Sequence, residues 1–223
     1  MIHSFVFSDG RLVGRDLEVE ALRLVRADKG LLLWVDLDNP TEEEWRAVLE
    51  AGFQFHALSI EDCVTPSSLP KIEDYDDYLF LVMHAVDYTR TEKFNTTEIN
   101  LFLGKDYLVT FHRMPLKSVS AVMDRCVRGV HAGGASGAPR GADRLAHLIL
   151  DDLVDYYKPV IDELRGELEQ IEEMVLEEDS RENLTPMLIE MRSELNQLRQ
   201  IIRPQREVII RDRKSTRLNS SHT

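Results

Sequence analysis

The chain has no apolar run long enough to cross a membrane. Its longest uncharged apolar stretch is the nine residues 78–86, whereas a spanning helix needs about 20. The first residues also lack the basic stretch and apolar run of a secretory signal. We therefore expect neither a transmembrane segment nor a signal peptide within these 223 residues.

Cysteine is scarce. Cys63 and Cys126 are the only two, and neither has a second cysteine or a histidine at the spacing of a zinc site. The sequence therefore predicts no zinc site and no disulfide framework, and a reducing cytoplasm suits it.

Basic residues are outnumbered. Lysine and arginine total 27 against 40 aspartate and glutamate residues, which gives a net charge of −13. A protein that binds nucleic acid through the phosphates needs a basic surface, so no nucleic-acid partner is expected. The acidic excess is compatible with attracting cations, although acidity more often serves solubility.

Sequence motifs of the common enzyme classes are missing as well. No two histidines have the spacing of a helical metal site, and neither Gly-x-Ser-x-Gly nor Gly-x-x-x-x-Gly-Lys occurs. Acidic pairs are so frequent that none of them identifies a general acid and base. We therefore predict that the chain is not an enzyme.

Residues 1–130 alternate between strand-like and helix-like segments. Asp9-Gly10 is a hairpin signal between the apolar segments 5–7 and 12–13. Residues 30–37 predict a buried strand, and Thr41 is placed to cap the acidic helix start that follows. The remaining predictions are a helix at 55–62, strands at 78–88, 97–103 and 107–112, and a helix at 118–130.

A glycine-rich segment follows. Residues 129–142 hold five of the eleven glycines, a composition typical of a flexible linker. We predict an α/β domain at 1–130, a linker at 131–142 and a helical region at 143–211.

Two amphipathic stretches make up the helical region. Apolar residues recur every three or four positions in 142–178 and in 184–202, which is the spacing of a coiled-coil seam. The polar break at 178–183 predicts an antiparallel hairpin, and Pro204 predicts an end or a kink. The seam positions are Tyr157, Val160, Leu164, Leu168, Ile171, Val175, Leu184, Leu188, Met191, Leu195, Leu198 and Ile202.

The predicted fold class is therefore α+β. A mixed β-sheet is flanked by helices and followed by a long antiparallel, coiled-coil-like helical hairpin. The last residues, 212–223, are polar and without periodicity, and most of them match the translation of a sequencing adapter. We expect this tail to be an artefact and the authentic sequence to be cut near Arg211.

Several phrases, in the right order, carry a family resemblance. The most specific are Ile-Glu-Asp-Cys at 60–63 and Pro-Lys-Ile-Glu-Asp-Tyr-Asp-Asp-Tyr-Leu-Phe-Leu-Val at 70–82. Shorter phrases lie at 34–41, 98–105, 150–159 and 203–208. Together they resemble the soluble domain of the CorA-type magnesium transporters, and the resemblance covers nearly all of residues 1–211.

The resemblance implies the cytoplasmic gating part of a membrane channel for divalent cations, with Mg²⁺ as the first expectation and Co²⁺ or Ni²⁺ as alternatives. It implies a homopentamer on the cytoplasmic face of the inner membrane. It also implies a stalk helix that enters the membrane and a Gly-Met-Asn motif at the pore. Neither lies within residues 1–211, so we expect a truncated chain that is soluble by itself.

A regulatory Mg²⁺ site between subunits is also implied. Mg²⁺ prefers carboxylates and water, and Asp87 is the acid that matches the family's position near the end of the long strand. Its partner acid would lie on the missing stalk helix. An ordinary aspartate at a strand end explains Asp87 about as well. The acids of 73–77 and of 167–178 are interpreted as solvated charge.

The heptad pattern leaves a second hypothesis open. A soluble module could bind partners or self-associate through the seam of its helical hairpin. This alternative requires neither membrane segments nor a metal.

Overall fold

The protein is described by a computed structural model that covers residues 1–66, 69–87, 95–131, 139–176 and 181–219. Side chains are described throughout these ranges except at 87, 95, 129–131, 181–183 and 207–219. The predicted linker at 131–142 and the predicted break at 178–183 fall largely outside the described residues. The proposed domain boundaries therefore stay predictions.

In the described ranges, seven strands form one sheet, and its mixed character confirms the prediction from the sequence. The strands are β1 (Ile2–Ser8), β2 (Arg11–Arg15), β3 (Leu32–Asp38), β4 (Lys71–Asp74), β5 (Tyr78–Asp87), β6 (Asn95–Gly104) and β7 (Tyr107–His112). Their order in the sheet is β2-β1-β3-β7-β6-β5-β4. Only the central β3–β7 pair is parallel, and the other neighbours are antiparallel.

Helices cover both faces of this sheet. They are α1 (Val19–Ala27), α2 (Glu42–Trp45), α3 (Ala57–Val64), α4 (Lys117–His131), α5 (Ala142–Asp155), α6 (Tyr157–Leu176) and α7 (Arg181–Asn219), and α2 runs on into a π-helical segment, Arg46–Phe53. Residues of α1, α3 and the π-helical segment share one hydrophobic core with the sheet. Residues of α4 to α7 share the core on the opposite face.

Two local predictions near the N-terminus are confirmed. Asp9 and Gly10 form the two-residue turn between β1 and β2, and both have positive φ (49° and 73°), as this kind of hairpin requires. Thr41 caps α2 in a capping box with Glu44, in which each side chain bonds to the other residue's backbone N–H. The bond from the Thr41 backbone lowers the pKa of the Glu44 carboxyl.

The acidic segment before β5 is an edge strand rather than a loop. Lys71–Asp74 pairs antiparallel with residues 79–82 of β5. Its four residues include three charged ones, and short charged strands are how proteins protect a sheet edge. Neither this strand nor α1 is predicted from the sequence.

The predicted single helix at 142–178 is wrong. The structure has two helices, α5 and α6, that meet at a turn at Tyr156. The cause is Pro159, which has no N–H for the carbonyl of Asp155, and whose ring clashes with that carbonyl in a continuous helix.

The second helix of the hairpin does not end at Pro204. Helix α7 runs through Pro204 to Asn219. Tyr157, at the start of α6, hydrogen-bonds to Gln205 late in α7, whereas Glu167, farther along α6, feels the charge of Glu190 early in α7. The two helices are therefore antiparallel, which confirms the predicted hairpin.

Only part of the predicted seam is buried. Ile171, Met191 and Leu198 are buried, whereas Leu188 and Leu195 are about half exposed (48% and 50%). Tyr157 and Val160 are buried as well, so burial is most complete at the start of α6 and is interrupted along the rest of the stripe. The remaining turns present apolar side chains to solvent.

A buried polar network ties the two parallel strands together. Asp36 of β3 accepts hydrogen bonds from Thr110 and His112 of β7, and Trp34 donates its indole N–H to Thr110 at 3.1 Å. The other ring nitrogen of His112 is 2.8 Å from the carbonyl of Met114. Burial opposes a charge on His112, but the bond to Asp36 and its negative charge outweigh it, so the pKa of His112 is raised.

This network predicts a pH-dependent contribution to stability. A raised folded-state pKa means that the stabilisation is complete below the unfolded value of about 6.5 and is lost as pH rises through the folded value. We expect His112→Gln to lower the free energy of unfolding more at pH ~6 than at pH ~9. Urea denaturation of both proteins measures this difference, and a difference that stays constant with pH would contradict it.

Candidate functional site

The predicted metal residue lies where the sequence places it along the backbone. Asp87 is the last residue of β5, and its register partner on β6 is Asn95. Its side chain is outside the described residues. The role of Asp87 as a regulatory Mg²⁺ ligand therefore stays a prediction.

The strand that ends at Asp87 is tied to the helical hairpin. β4 pairs with β5 only as far as Val82, so the outer edge of β5 beyond that point needs other partners. The backbone N–H of His84 donates to Oε1 of Gln205 at 3.2 Å, and the His84 carbonyl accepts from the Tyr157 hydroxyl at 2.7 Å. Side chains of α6 and α7 thus take the place of a neighbouring strand.

These two side chains are themselves enclosed. Gln205 is 3% exposed and Tyr157 is 5% exposed, and their polar atoms are 3.5 Å apart. Burial raises the pKa of the Tyr157 hydroxyl, so the phenol stays a neutral donor. A displacement of α7 cannot occur without breaking a buried bond to the backbone of β5, three residues before Asp87.

The acidic turn before β5 is partly paired with neighbouring side chains. Lys71 is paired with Asp62 and with Glu73, and the Tyr75 hydroxyl donates to Glu73 at 2.8 Å. Burial opposes the charge of Lys71, but its bonds to Asp62 and Glu73 outweigh this and raise its pKa. Part of the turn's negative charge is therefore already balanced by the protein.

Like charges meet across the helical hairpin. Burial and the neighbouring carboxylates of Glu163 and Glu190 raise the pKa of Glu167. The three acids repel one another where α6 and α7 pack together. A proton or a cation would relieve this repulsion. Within the described ranges, however, no group of three or more histidine, cysteine, aspartate or glutamate side chains could hold a metal ion.

None of the helices, as far as the structure describes them, combines the length and the low charge that a membrane span requires.

A family profile described as "CorA-like Mg2+ transporter protein" matches residues 29–223, which is most of the chain. The chain belongs to this CorA-like family. The match includes the strand that ends at Asp87 and the whole helical hairpin.

Individual relatives are similar to this chain over shorter stretches than the family profile. The chain is 34% identical over 140 residues to YfjQ of Bacillus subtilis, a protein provisionally named a metal ion transporter. The aligned region covers 63% of this chain and 41% of that protein. It is 26% identical over 158 residues to the cobalt/magnesium transport protein CorA of Thermotoga maritima, covering 70% and 44%. The chain thus spans less than half the length of these relatives.

Two solved structures, one of them a CorA soluble domain, share the fold. The soluble domain of CorA from Methanocaldococcus jannaschii superimposes with a TM-score of 0.71 at 18% identity, over 94% of this chain and 78% of that one. The full-length CmaX protein gives 0.73 at 16% identity, over 92% and 61%. The α+β architecture derived above is therefore the architecture of this family.

Sequence reasoning missed Gln205 as a functional residue. Met191, Leu198 and Gln205 are spaced seven residues apart and are all buried, so Gln205 occupies the position where the seam calls for another apolar residue. A polar residue in an apolar heptad position indicates a buried partner, and this signal was available in the sequence.

The contact at His84 gives a test of how α7 is held. Gln205→Leu keeps the side-chain size but leaves the His84 N–H buried without an acceptor, so we expect a loss of about 1–3 kcal/mol in the free energy of unfolding. Gln200→Leu is the matched control, since Gln200 is exposed on the same helix. Equal losses in the free energy of unfolding of the two variants would show that the hydrogen bond to His84 adds no stability.

Proposed function

We propose that this chain is the cytoplasmic part of a divalent-cation transporter. The family match over residues 29–223 carries this proposal. It is supported by the names of the relatives, which include cobalt/magnesium transport proteins. Mg²⁺ is the first proposed substrate and Co²⁺ the second.

The proposed assembly is a homopentamer on the cytoplasmic face of the membrane, anchored by helices that follow the hairpin. In such an assembly, Mg²⁺ bound at Asp87 and at carboxylates of a neighbouring subunit holds the closed state. Loss of the ion lets the acids repel one another and shifts the population towards the open state. The ion acts only through its different affinity for the two states.

The contact between β5 and α7 supports a route for this signal. The strand end at Asp87 and the Gln205 side chain are joined through the backbone of His84. A shift at the strand end therefore changes the position of α7, which leads towards the proposed membrane part. The coupling needs no further element between the two.

The test uses the complete transporter, reconstituted in vesicles that contain a Mg²⁺-sensitive dye. Chelating Mg²⁺ on the cytoplasmic side is expected to increase the cation flux of the wild type. Asp87→Asn should weaken that response, because the neutral amide binds Mg²⁺ less well than a carboxylate. Asp9→Asn makes the same charge change at the β1–β2 turn and should leave the response intact.

The outcomes separate the parts of the proposal. A wild-type flux that is identical with and without cytoplasmic Mg²⁺ would overturn regulation by the ion. A wild type that responds, together with an Asp87→Asn variant that responds equally, would leave regulation in place and remove Asp87 from the site.

A second function is favoured by the exposed half of the heptad stripe. Leu168, Leu188 and Leu195 are each about half exposed on the hairpin. Apolar side chains repeated along one surface suit association with a second copy of the same hairpin. As an alternative to transport, the chain would then be a self-associating interaction module.

This alternative predicts an oligomer in the absence of lipid. Leu195→Glu should shift the sedimentation coefficient towards that of the monomer, because the charge would have to be buried at the interface. Leu24→Glu is the matched control, since Leu24 is 77% exposed on α1. A chain that sediments as a monomer before any substitution rejects the module.

A further inference from the structure

A cavity of about 700 Å³ lies between the sheet and helix α7. Strand register explains its floor: His84 of β5 is opposite Glu98 of β6, and Asn100 of β6 is opposite Phe111 of β7. Directly opposed residues share a face of the sheet. Glu190 and Glu194, among other residues of α7, form the facing wall.

Two deeply buried polar side chains in this cavity are unpartnered. Nε2 of His84 and Oδ1 of Asn100 have no hydrogen-bond partner in the part of the chain that the structure describes. The two residues are 6% and 2% exposed. Because an unpaired buried polar atom destabilises the fold, proteins seldom keep one without a use for it.

Both atoms are held in place by their neighbours. The amide nitrogen of Asn100 donates to Glu98 at 2.8 Å, so the amide oxygen is the atom left to accept. The backbone of His84 is fixed on both sides by Gln205 and Tyr157. Burial lowers the pKa of His84, so its ring is neutral near pH 7, and Nε2 accepts a hydrogen bond in the tautomer that carries its proton on Nδ1.

The charge of the cavity is negative. Among the described lining residues, Glu98, Glu190 and Glu194 are acidic and Arg113 is basic. The guanidinium of Arg113 already donates to the carbonyl of Val64 and lies 5.5 Å from the ring of Phe111. A ligand for this cavity is therefore a cation that brings its own hydrogen-bond donors.

The rest of the wall favours an organic cation over a metal ion. Phe111 and Met114 give the cavity an apolar side, which a hydrated metal ion would not use. Among the described residues no cluster of metal-ligating side chains exists here or elsewhere.

We propose that this cavity binds a small alkylammonium ion. Its N–H groups donate to Asn100 Oδ1 and His84 Nε2, its charge faces the acids of α7, and its alkyl chain lies against Phe111 and Met114. The ligand contacts the sheet and α7 at the same time, so its binding would stabilise the docked position of α7. This site is independent of Asp87 and of the proposed transport.

Calorimetric titration of the 223-residue chain tests the proposal, with 1,4-diaminobutane as the probe. Tetramethylammonium is the control ligand, because it is a cation without N–H donors and should not bind. Asn100→Leu should weaken diamine binding about tenfold, the effect of losing one hydrogen bond to a charged donor.

A second pair of variants keeps the test valid if Asn100→Leu fails to fold. Glu194→Gln changes a wall residue on the surface of α7 and should also weaken binding. Glu169→Gln makes the same change at an exposed position of α6, and should bind the diamine like the wild type.

Three results would overturn the proposal. One is equal binding of tetramethylammonium and the diamine, which would indicate unspecific attraction to an acidic protein. Another is equal weakening by Glu194→Gln and Glu169→Gln. The third is binding of magnesium chloride, sensitive to Asn100→Leu, by a chain that does not bind the diamine.

Discussion

The bond pair at His84 is the contact on which the position of the helical hairpin depends. β4 covers only the first half of β5, and a sheet edge buried without partners would cost several kcal/mol. Tyr157 and Gln205 supply the missing donor and acceptor from two different helices. Apolar packing of Leu198 and Ile201 against the sheet adds stability, but it is tolerant of sliding. The two hydrogen bonds are not, because each requires one particular atom of the strand.

The break between α5 and α6 lies next to the same contact. A continuous helix through Tyr156 would carry one fixed direction from α5 into α6. Pro159 breaks the helix just before the residue that reaches His84, so α6 can leave the sheet at its own angle. α7 then returns antiparallel to α6 and delivers Gln205 to the same backbone unit. The turn at Tyr156 and the two hydrogen bonds to His84 together position α6 and α7 against β5.

The sequence predicts those features that depend on local chemistry. The Asp9-Gly10 turn, the Thr41 cap and the strand at Tyr107–His112 follow from residues within a few positions of one another. The break at Tyr156 and the passage through Pro204 depend on which carbonyls lose a partner and what replaces it, which periodicity alone does not reveal. The site is predicted least well. Asp87 can be located at a strand end, whereas Gln205 and Asn100 gain their roles from residues more than ten positions away in the sequence.

Two buried histidines show how partners decide a role. His112 and His84 both lie in strands and both are nearly inaccessible. His112 faces Asp36, which outweighs the cost of burial and raises its pKa, so this ring serves as one half of a buried pair between β3 and β7. The Nε2 atom of His84 has no such partner in the described structure, and burial alone lowers its pKa. The backbone of His84, and not its ring, makes the hydrogen bonds to Gln205 and Tyr157. The unpartnered ring of His84 is therefore the one that suits the proposed ligand, whereas the ring of His112 is already committed to Asp36.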